Sequence, residues 1–165
     1  MSNSMPEMTP EELWELFSIP LTEHQTCWED QYWEEKDPLM FILPDTVNIH
    51  HIGSTSIEGI WEKPIIDILV EADLSAFDEI KNLLLRNGYT CMAQNETHIH
   101  FNKGYTSNRF ADKVFHVHLQ KHGDNDELYF RDCLSGHPKI AKEYEKLKLS
   151  LWERVAQFFP GISFF

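Results

Sequence analysis

The chain has 165 residues, of which 42% are hydrophobic and 25% charged, a composition typical of one soluble globular domain rather than a disordered or membrane protein. Its formal net charge of −13 repels the phosphate backbone of nucleic acids at long range. The three cysteines form no CxxC pair, which favours a reducing compartment. We therefore expect a cytoplasmic single domain over residues 1–165 that binds neither nucleic acids in general nor a membrane.

The N-terminal segment, about residues 9–43, is predicted to be helical and is rich in acidic residues. The sequence TPEE at residues 9–12 is typical of a helix start. We expect Thr22 to cap a second helix that ends near Pro38 and whose Trp33 packs in the core. The acidic residues predict a solvated helix surface, with a partner-binding face as the alternative.

The rest of the chain changes from strand to helix patterns. The predicted strands lie at residues 47–52, 64–70, 89–93, 97–102 and 114–120. We expect Ser75 to cap a helix after the second strand, and Pro138 to open the last helix of a C-terminal helical segment at about residues 125–158. The last helix is predicted to have one apolar stripe, with Ile140, Tyr144, Leu147 and Leu151. This order predicts an α+β fold, a mixed sheet of about five strands with helices packed mainly on one side.

The clearest chemical motif combines a Gly-Ser turn with an acid in the next strand. A strand that ends at Gly53-Ser54 and turns into a short helix exposes backbone N–H groups beside small hydroxyls, which suits a phosphate. Asp67 lies in a strand that is otherwise nearly all apolar, where an ionised carboxylate requires a partner. The motif predicts that Asp67 holds a metal against that phosphate. The alternative is a turn that merely requires a small residue.

These segments, taken with others in the same order, resemble the GrpB family. The carrying segments are HIGSTSI at residues 51–57, GI at 59–60, KPIIDILV at 63–70, FHVHL at 115–119 and FRDCL at 130–134, followed by His137, Pro138 and Tyr144. The resemblance implies the nucleotidyltransferase fold of the DNA polymerase β-like superfamily. It also implies that the Gly-Ser turn faces a phosphate.

The chain departs from the superfamily pattern at one position. Enzymes of the superfamily typically have a second carboxylate two residues after the first, and here Asp67 is followed at that place by Leu69. The next acid on the same strand face, Glu71, is about 13 Å from Asp67 along an extended strand. This departure argues against ordinary two-magnesium chemistry. It keeps open a degenerate fold that binds a nucleotide-like or CoA-like ligand without turnover.

Histidines offer a replacement for the missing carboxylate. The sequences His98-Ile99-His100 and His116-Val117-His118 each place two imidazoles on one face of a strand. The predicted metal ligands are Asp67, His100, His116 and His118. The expected cofactor is a divalent metal, Mn, Zn or Mg, with imidazole favouring the first two over magnesium. Alternatively, the imidazoles line a polar sheet face and bond to backbone and water.

The predicted phosphate ligands are Gly53, Ser54, Thr55, Ser56, Lys63 and Arg131. For the two cations, the alternatives are a surface Lys63 and an Arg131 paired with an acid. Lys103 and Arg109 either close over an anion or are ordinary loop charges.

The expected function is transfer of a nucleotidyl group from an NTP to a small acceptor, so that the partner is a small phosphate or nucleotide ligand. Asp67, His118 and His116 are the predicted catalytic residues, as metal ligands or general base. Hydrolysis of a phosphoester at a mononuclear metal site is a third possibility that uses the same residues.

Overall fold

The structure, a computed structural model, describes residues 21–105 and 110–158. The helix start predicted at residues 9–12 and the loop residue Arg109 lie outside this part.

The described part of the chain contains four helices and five strands. The helices are α1 (Cys27–Ile42), α2 (Phe77–Arg86), α3 (Asp126–Gly136) and α4 (Pro138–Phe158). The strands are β1 (Asn48–Ile52), β2 (Ile65–Ala72), β3 (Thr90–Gln94), β4 (His98–Tyr105) and β5 (Phe110–Lys121). Two short 3-10 turns, Ser54–Ser56 and Leu74–Ala76, follow β1 and β2. Within this part, no helix combines the length and the apolar character that a bilayer span requires.

The five strands form one mixed sheet in the order β1-β2-β5-β4-β3. The central strands β2 and β5 run parallel, and the other three neighbouring pairs are antiparallel. The predicted α+β fold with a mixed five-stranded sheet is confirmed. The parallel β2 and β5 place their side chains in matching register, which brings Asp67 opposite His116.

One face of the sheet forms the main core. Alternate residues of β2, including Ile66, Ile68 and Val70, are completely buried there. They pack in one cluster with buried side chains of α1 and α2, so these two helices cover the same face. A period-two strand leaves the intervening residues on the opposite face. That second face carries the polar residues described below.

Helix α1 differs from its prediction at both ends. It begins at Cys27, and Thr22 pairs with Glu62 in an isolated bridge instead of capping the helix. Pro38 lies inside the helix, which continues to Ile42. Pro38 removes one helical N–H, but Leu39 is buried in the core, and that burial offsets the loss. Trp33 is 48% exposed, so its assignment to core packing was wrong.

Two further helix predictions are corrected. Ser75 lies in a 3-10 turn, and α2 begins at Phe77 without a side-chain cap. In α4 three residues of the predicted apolar stripe, Ile140, Leu147 and Leu151, are exposed, whereas the fourth, Tyr144, is partly buried. The buried positions of α4 include Ala141, which packs in a small second cluster with residues near the Gly-Ser turn and from α3.

Candidate functional site

The face of the sheet opposite the core is lined by polar side chains from its three central strands. We call this surface the polar face and define it by Asp67 and Glu71 of β2, His116, His118 and Gln120 of β5, and His98, His100 and Asn102 of β4. The strand register places these residues in adjoining rows, with His118 between Leu69 and His100.

Asp67 is the centre of a carboxylate and imidazole cluster on the polar face. Its Oδ1 lies 3.2 Å from His118 Nε2 and 3.5 Å from His116 Nδ1. Burial opposes ionisation of the carboxyl, but the interactions with the two histidines outweigh it and hold the pKa of Asp67 below its ordinary value. The Asp67 side chain is still 27% exposed, so solutes can reach it.

The histidines of β4 extend this cluster across the sheet. The rings of His100 and His118 are stacked with centroids 4.6 Å apart, and His98 lies 5.7 Å from His118. Burial, reinforced by the neighbouring His118 and His116, lowers the pKa of His100 to about 4. His100 is therefore a neutral imidazole near pH 7, and its Nε2 is buried without a hydrogen-bond partner.

Tyr105 joins the cluster although sequence reasoning missed it. Its hydroxyl lies 2.7 Å from His116 Nε2. The β4–β5 pairing shifts register between Lys103 and Tyr105. Gly104 has φ +95°, and a Cβ there would lie 2.2 Å from the carbonyl oxygen of Lys113. A glycine inside a strand often marks such an irregularity, so Gly104 was the sequence signal that could have predicted the changed face of Tyr105.

The Gly-Ser turn is in direct contact with Asp67. Gly53 has φ +72°, and a Cβ added there would lie 2.6 Å from Asp67 Oδ2. Glycine is therefore required both by the backbone conformation and by the approach of the carboxylate. Ser54 begins the 3-10 turn that follows. The structure thus brings the two halves of the motif together.

The hydrogen bonds of the turn divide the predicted phosphate ligands. The amide and the hydroxyl of Ser56 both donate to the carbonyl of Gly53, so Ser56 stabilises the turn. The hydroxyl of Thr55 donates to the carbonyl of Ile65. Among the described residues, the amides of Ser54 and Thr55 have no hydrogen-bond partner. These two amides are the ones available to an anion.

Two lysines lie near the turn, of which one was not predicted. Lys148 of α4 donates to Ser54 Oγ at 3.2 Å and pairs with Glu62. Burial lowers the pKa of Lys148 to about 8 and also lowers that of Lys63. The Lys63 ammonium lies over the ring of Trp152, 4.6 Å from its centroid. Lys148 was missed because the helical pattern of α4 does not indicate which of its sides faces the Gly-Ser turn.

The place of the second carboxylate is filled by an apolar side chain. Leu69 is completely buried, between His50 and His118 in the register. Glu71 does not replace it, because its Oε1 accepts from the Gly123 amide and the Asn125 side chain. Glu71 therefore anchors the loop before α3.

The Asp67 cluster has donor atoms suited to a divalent metal, but its side chains are not placed around a common ion position. One carboxylate and neighbouring imidazoles are a donor set suited to zinc or manganese. In residues 21–105 and 110–158, however, no group of three or more His, Cys, Asp or Glu side chains is arranged to hold an ion. The metal site therefore stays a prediction. Its ligands would be Asp67, His100, His116 and His118.

Arg131 lies beside His51. Its Nη1 donates to the carbonyl of His51 at 2.9 Å and its Nε to Asp132 at 2.8 Å. It lines a cavity of about 880 Å³, the side cavity, which lies between α1, the Gly-Ser turn and the α3–α4 junction. Thr55 and Ser56 also line this cavity, but Asp67 does not. The role of Arg131 as a phosphate ligand stays a prediction.

Lys103 also has a structural partner. Its ammonium pairs with the buried carboxylate of Glu35 and lies 5.0 Å from the ring centroid of Tyr89. The prediction that it closes over an anion is not supported, because Lys103 lies on the core face of the sheet, beside Glu35 of α1, and not on the polar face.

Comparisons of sequence identify the family of the chain. The family model described as GrpB protein matches residues 18–159. The chain is 34% identical over 148 residues to the glutamate-rich protein GrpB of Alkalihalophilus pseudofirmus, covering 82% of each chain. It is 39% identical over 134 residues to the UPF0157 protein YqkA of Bacillus subtilis, covering 75% of this chain. The match spans only 37% of the length of YqkA.

Comparisons of structure give the same family and a wider fold group. The crystal structure of the conserved protein GrpB from Enterococcus faecalis superposes with a TM-score of 0.69 at 31% identity over 86% of both chains. The poly(U) polymerase Cid1, solved with the UTP analogue UMPNPP, superposes with a TM-score of 0.53 at 11% identity, over 71% of this chain and 37% of that one. The fold is therefore nucleotidyltransferase-like. On the family match and on these identities, the chain belongs to the GrpB family.

Proposed function

We propose that this domain binds a nucleoside triphosphate between the Gly-Ser turn and the polar face, and transfers its nucleotidyl group to a small acceptor. The observation that carries the proposal is the concentration of unsatisfied buried polar atoms on one face of the sheet. Six buried side-chain atoms in the described residues have no hydrogen-bond partner. Five of them belong to the polar face or contact it: His98 Nε2, His100 Nε2, Asn102 Oδ1, Gln120 Oε1 and Glu127 Oε2.

Such a concentration favours a ligand-binding surface. A buried polar atom without a partner costs roughly 1–3 kcal/mol, so folded proteins leave few of them. Five on one face require groups that the protein itself does not supply. A polar ligand, its metal ion and bound water together would supply them.

The residues divide into phosphate-holding and proton-handling groups. The amides of Ser54 and Thr55, with the Lys148 ammonium beside Ser54 Oγ, would hold the terminal phosphates. The acceptor hydroxyl would attack the α-phosphorus and release pyrophosphate. His118 donates its Nε2–H to Asp67 Oδ1 at 3.2 Å, so its Nδ1 would take the hydroxyl proton, and Asp67 would stabilise the imidazolium. In that role His118 is not a metal ligand, and a divalent ion on Asp67, His100 and His116 would offset the negative charge of the phosphates.

A second candidate rests on Leu69. Because an apolar side chain fills the second carboxylate position, the site has less negative charge than two ions require, and in this second candidate function it binds a nucleotide-like or CoA-like ligand without turnover. Hydrolysis of a phosphoester at a single metal ion uses the same residues with water as the acceptor.

Product analysis separates the three readings. The protein would be incubated with each NTP, a small-molecule extract of bacterial cells, and Mn²⁺, Zn²⁺ or Mg²⁺. Nucleotidyl transfer releases pyrophosphate only with the extract present. Water as the acceptor at the α-phosphorus releases pyrophosphate without the extract, and phosphoester hydrolysis releases orthophosphate from phenyl phosphate, assayed in parallel. Calorimetric binding of a non-hydrolysable NTP without either product would identify a binding domain.

A matched pair of variants tests the site itself. Asp67→Asn removes the carboxylate of the cluster, whereas Asp78→Asn changes an exposed acid in the first turn of α2. We expect the first to lose metal-dependent binding and the second to keep it. Equal NTP affinity in both variants and the wild type would contradict a site at Asp67.

A further inference from the structure

The side cavity contains the sixth unsatisfied buried atom. His24 lines this cavity, and its Nδ1 is buried without a hydrogen-bond partner. The cavity volume of about 880 Å³ lies within the usual range of small-molecule sites. The cavity therefore has both the size and an unmet polar requirement that a ligand would satisfy.

The cavity has an aromatic wall. Tyr32 stacks on His51 with ring centroids 4.7 Å apart and an interplanar angle of 11°. Trp33, which meets Tyr32 edge to face, leaves nearly half of its surface exposed. Burial raises the pKa of Tyr32 to about 12 and lowers that of His51 to about 4, so both rings are uncharged at neutral pH. Neutral ring faces of this kind favour a flat ligand.

Arg131 gives the same cavity a positive charge. Its Nε and Nη1 are held by Asp132 and by the His51 carbonyl, which fixes the orientation of the guanidinium. Its Nη2 has no hydrogen-bond partner among the described residues. A fixed guanidinium with donors to spare is suited to a planar acid group.

The remaining charges do not cancel this one. Lys142 also lines the cavity, but its ammonium is used by the Gly59 carbonyl and by Glu145. The acids near Arg131 are exposed: Glu29 and Glu58 in the lining, and Asp132, which pairs with Arg131 Nε and whose side chain is 65% exposed. Exposed carboxylates are screened by solvent, so Arg131 dominates the inner part of the cavity.

From these features we infer that the side cavity is a second ligand site, separate from the polar face, for a small molecule that combines a flat ring with one acid group. The acid group binds Arg131, the ring packs on the Tyr32, His51 and Trp33 side chains, and a polar atom of the ligand pairs with His24 Nδ1. A carboxylate and a phosphate share the chemistry that Arg131 recognises.

The fluorescent probe 8-anilinonaphthalene-1-sulfonate has a flat ring system and one acid group, and it tests the inference directly on the full chain. We expect one probe molecule to bind per chain with enhanced fluorescence. Arg131→Met removes the charged donor and should weaken binding about tenfold or more. Trp33→Leu should weaken it several-fold. Arg86→Met, at the exposed end of α2, is the matched control and should bind as the wild type does.

Competition identifies the acid group. Phenyl phosphate and benzoate should both displace the probe, whereas benzyl alcohol should not, and the stronger competitor shows which acid is preferred. If Arg131→Met melts at a lower temperature than the wild type, Trp33→Leu still tests the cavity, because the Trp33 side chain is largely outside the core. Absence of probe binding, or equal affinity in the wild type, Arg131→Met and Trp33→Leu, would overturn the inference.

Discussion

The two faces of the central sheet are built from the same strands, but one is apolar and packs under helices, and the other is the polar face. In β2, Ile66, Ile68 and Val70 pack under α1 and α2, while Asp67 and Glu71 on the other face contact histidines. Alternation along one strand thus places neighbouring residues in the core and on the polar face. Substitutions one residue apart should therefore differ in whether they change stability or ligand binding.

The division is not complete, and Leu69 marks the exception. It lies on the same side of β2 as Asp67 but is as fully buried as the core residues. An apolar side chain between Asp67 and Glu71 separates two carboxylates and reduces their repulsion. The polar face therefore also contributes to stability through Leu69, at the position where enzymes of the superfamily typically have a second carboxylate.

The largest expected effect is on the core face. Ile68→Ala would leave a cavity under α1, and we expect it to lower the free energy of unfolding by about 3–4 kcal/mol. His118→Ala, on the adjoining strand but on the polar face, should change stability by less than about 1 kcal/mol, because its ring is partly exposed and lies in a cluster with surplus unpaired groups. Urea unfolding of both variants measures the difference. Equal losses would contradict the division between the faces.

The Gly-Ser turn should show the next largest effect. Gly53→Ala would force a Cβ against Asp67 Oδ2 in a backbone conformation that favours glycine, and we expect a loss of about 2–3 kcal/mol. Gly59→Ala is the matched control, since Gly59 also has a positive φ but has no atom within 4 Å of an added Cβ. That variant should lose only about 1 kcal/mol. If the two variants melt together, the contact between the turn and Asp67 does not constrain the fold.

His51 should make stability depend on pH. Burial lowers its folded-state pKa to about 4, although Asp67 opposes the shift, whereas the unfolded chain has the ordinary value near 6.5. Between pH 4 and pH 6.5 the unfolded state binds more protons than the folded state. The contribution of neutral His51 to the free energy of unfolding is therefore fully present above pH 6.5 and is lost as the pH falls toward 4. We expect a loss of roughly 2 kcal/mol after allowance for partial exposure. His51→Gln should reduce the slope of unfolding free energy against pH over this interval, and an unchanged slope would contradict the assignment.

The sequence was sufficient to predict the faces of the histidines in β4 and β5, but not how the helices lie against the sheet edge. The alternation in His98-Ile99-His100 and His116-Val117-His118 predicts two imidazole pairs, and the parallel pairing of β2 with β5 brings one of them to Asp67. Arg131 and Lys148 differ, because their positions depend on how α3 and α4 pack against β1 and the turn. A helical period reports an apolar stripe but not the direction in which it faces.

Predictions from local sequence were also wrong where contacts distant in sequence outweighed the local preference. Pro38 was predicted to end α1, but the helix continues because the residues after it are anchored in the core. Conversely, Trp33 was assigned to the core by its size and is half exposed beside the side cavity. Both errors concern α1, whose register over the sheet is set by contacts distant in sequence. Glycines were more reliable signals, since Gly53 and Gly104 each occupy a place where a Cβ would collide.

The smallest expected effect concerns anion binding at Lys148, measured with sulfate because its charge is constant from pH 6 to 10. Burial lowers the pKa of Lys148 to about 8, so the ammonium beside Ser54 loses its proton between pH 7 and pH 9, a range in which an ordinary exposed lysine stays protonated. Calorimetry should therefore give a sulfate affinity that falls up to about tenfold between pH 7 and pH 9. Lys148→Arg retains its charge and should bind with little dependence on pH, while Lys148→Met should bind weakly throughout. Lys139→Met, an exposed position near the start of α4, should reproduce the wild-type profile. A pH-independent affinity in the wild type, or a profile that Lys148→Met leaves unchanged, would show that the anion does not bind beside Lys148.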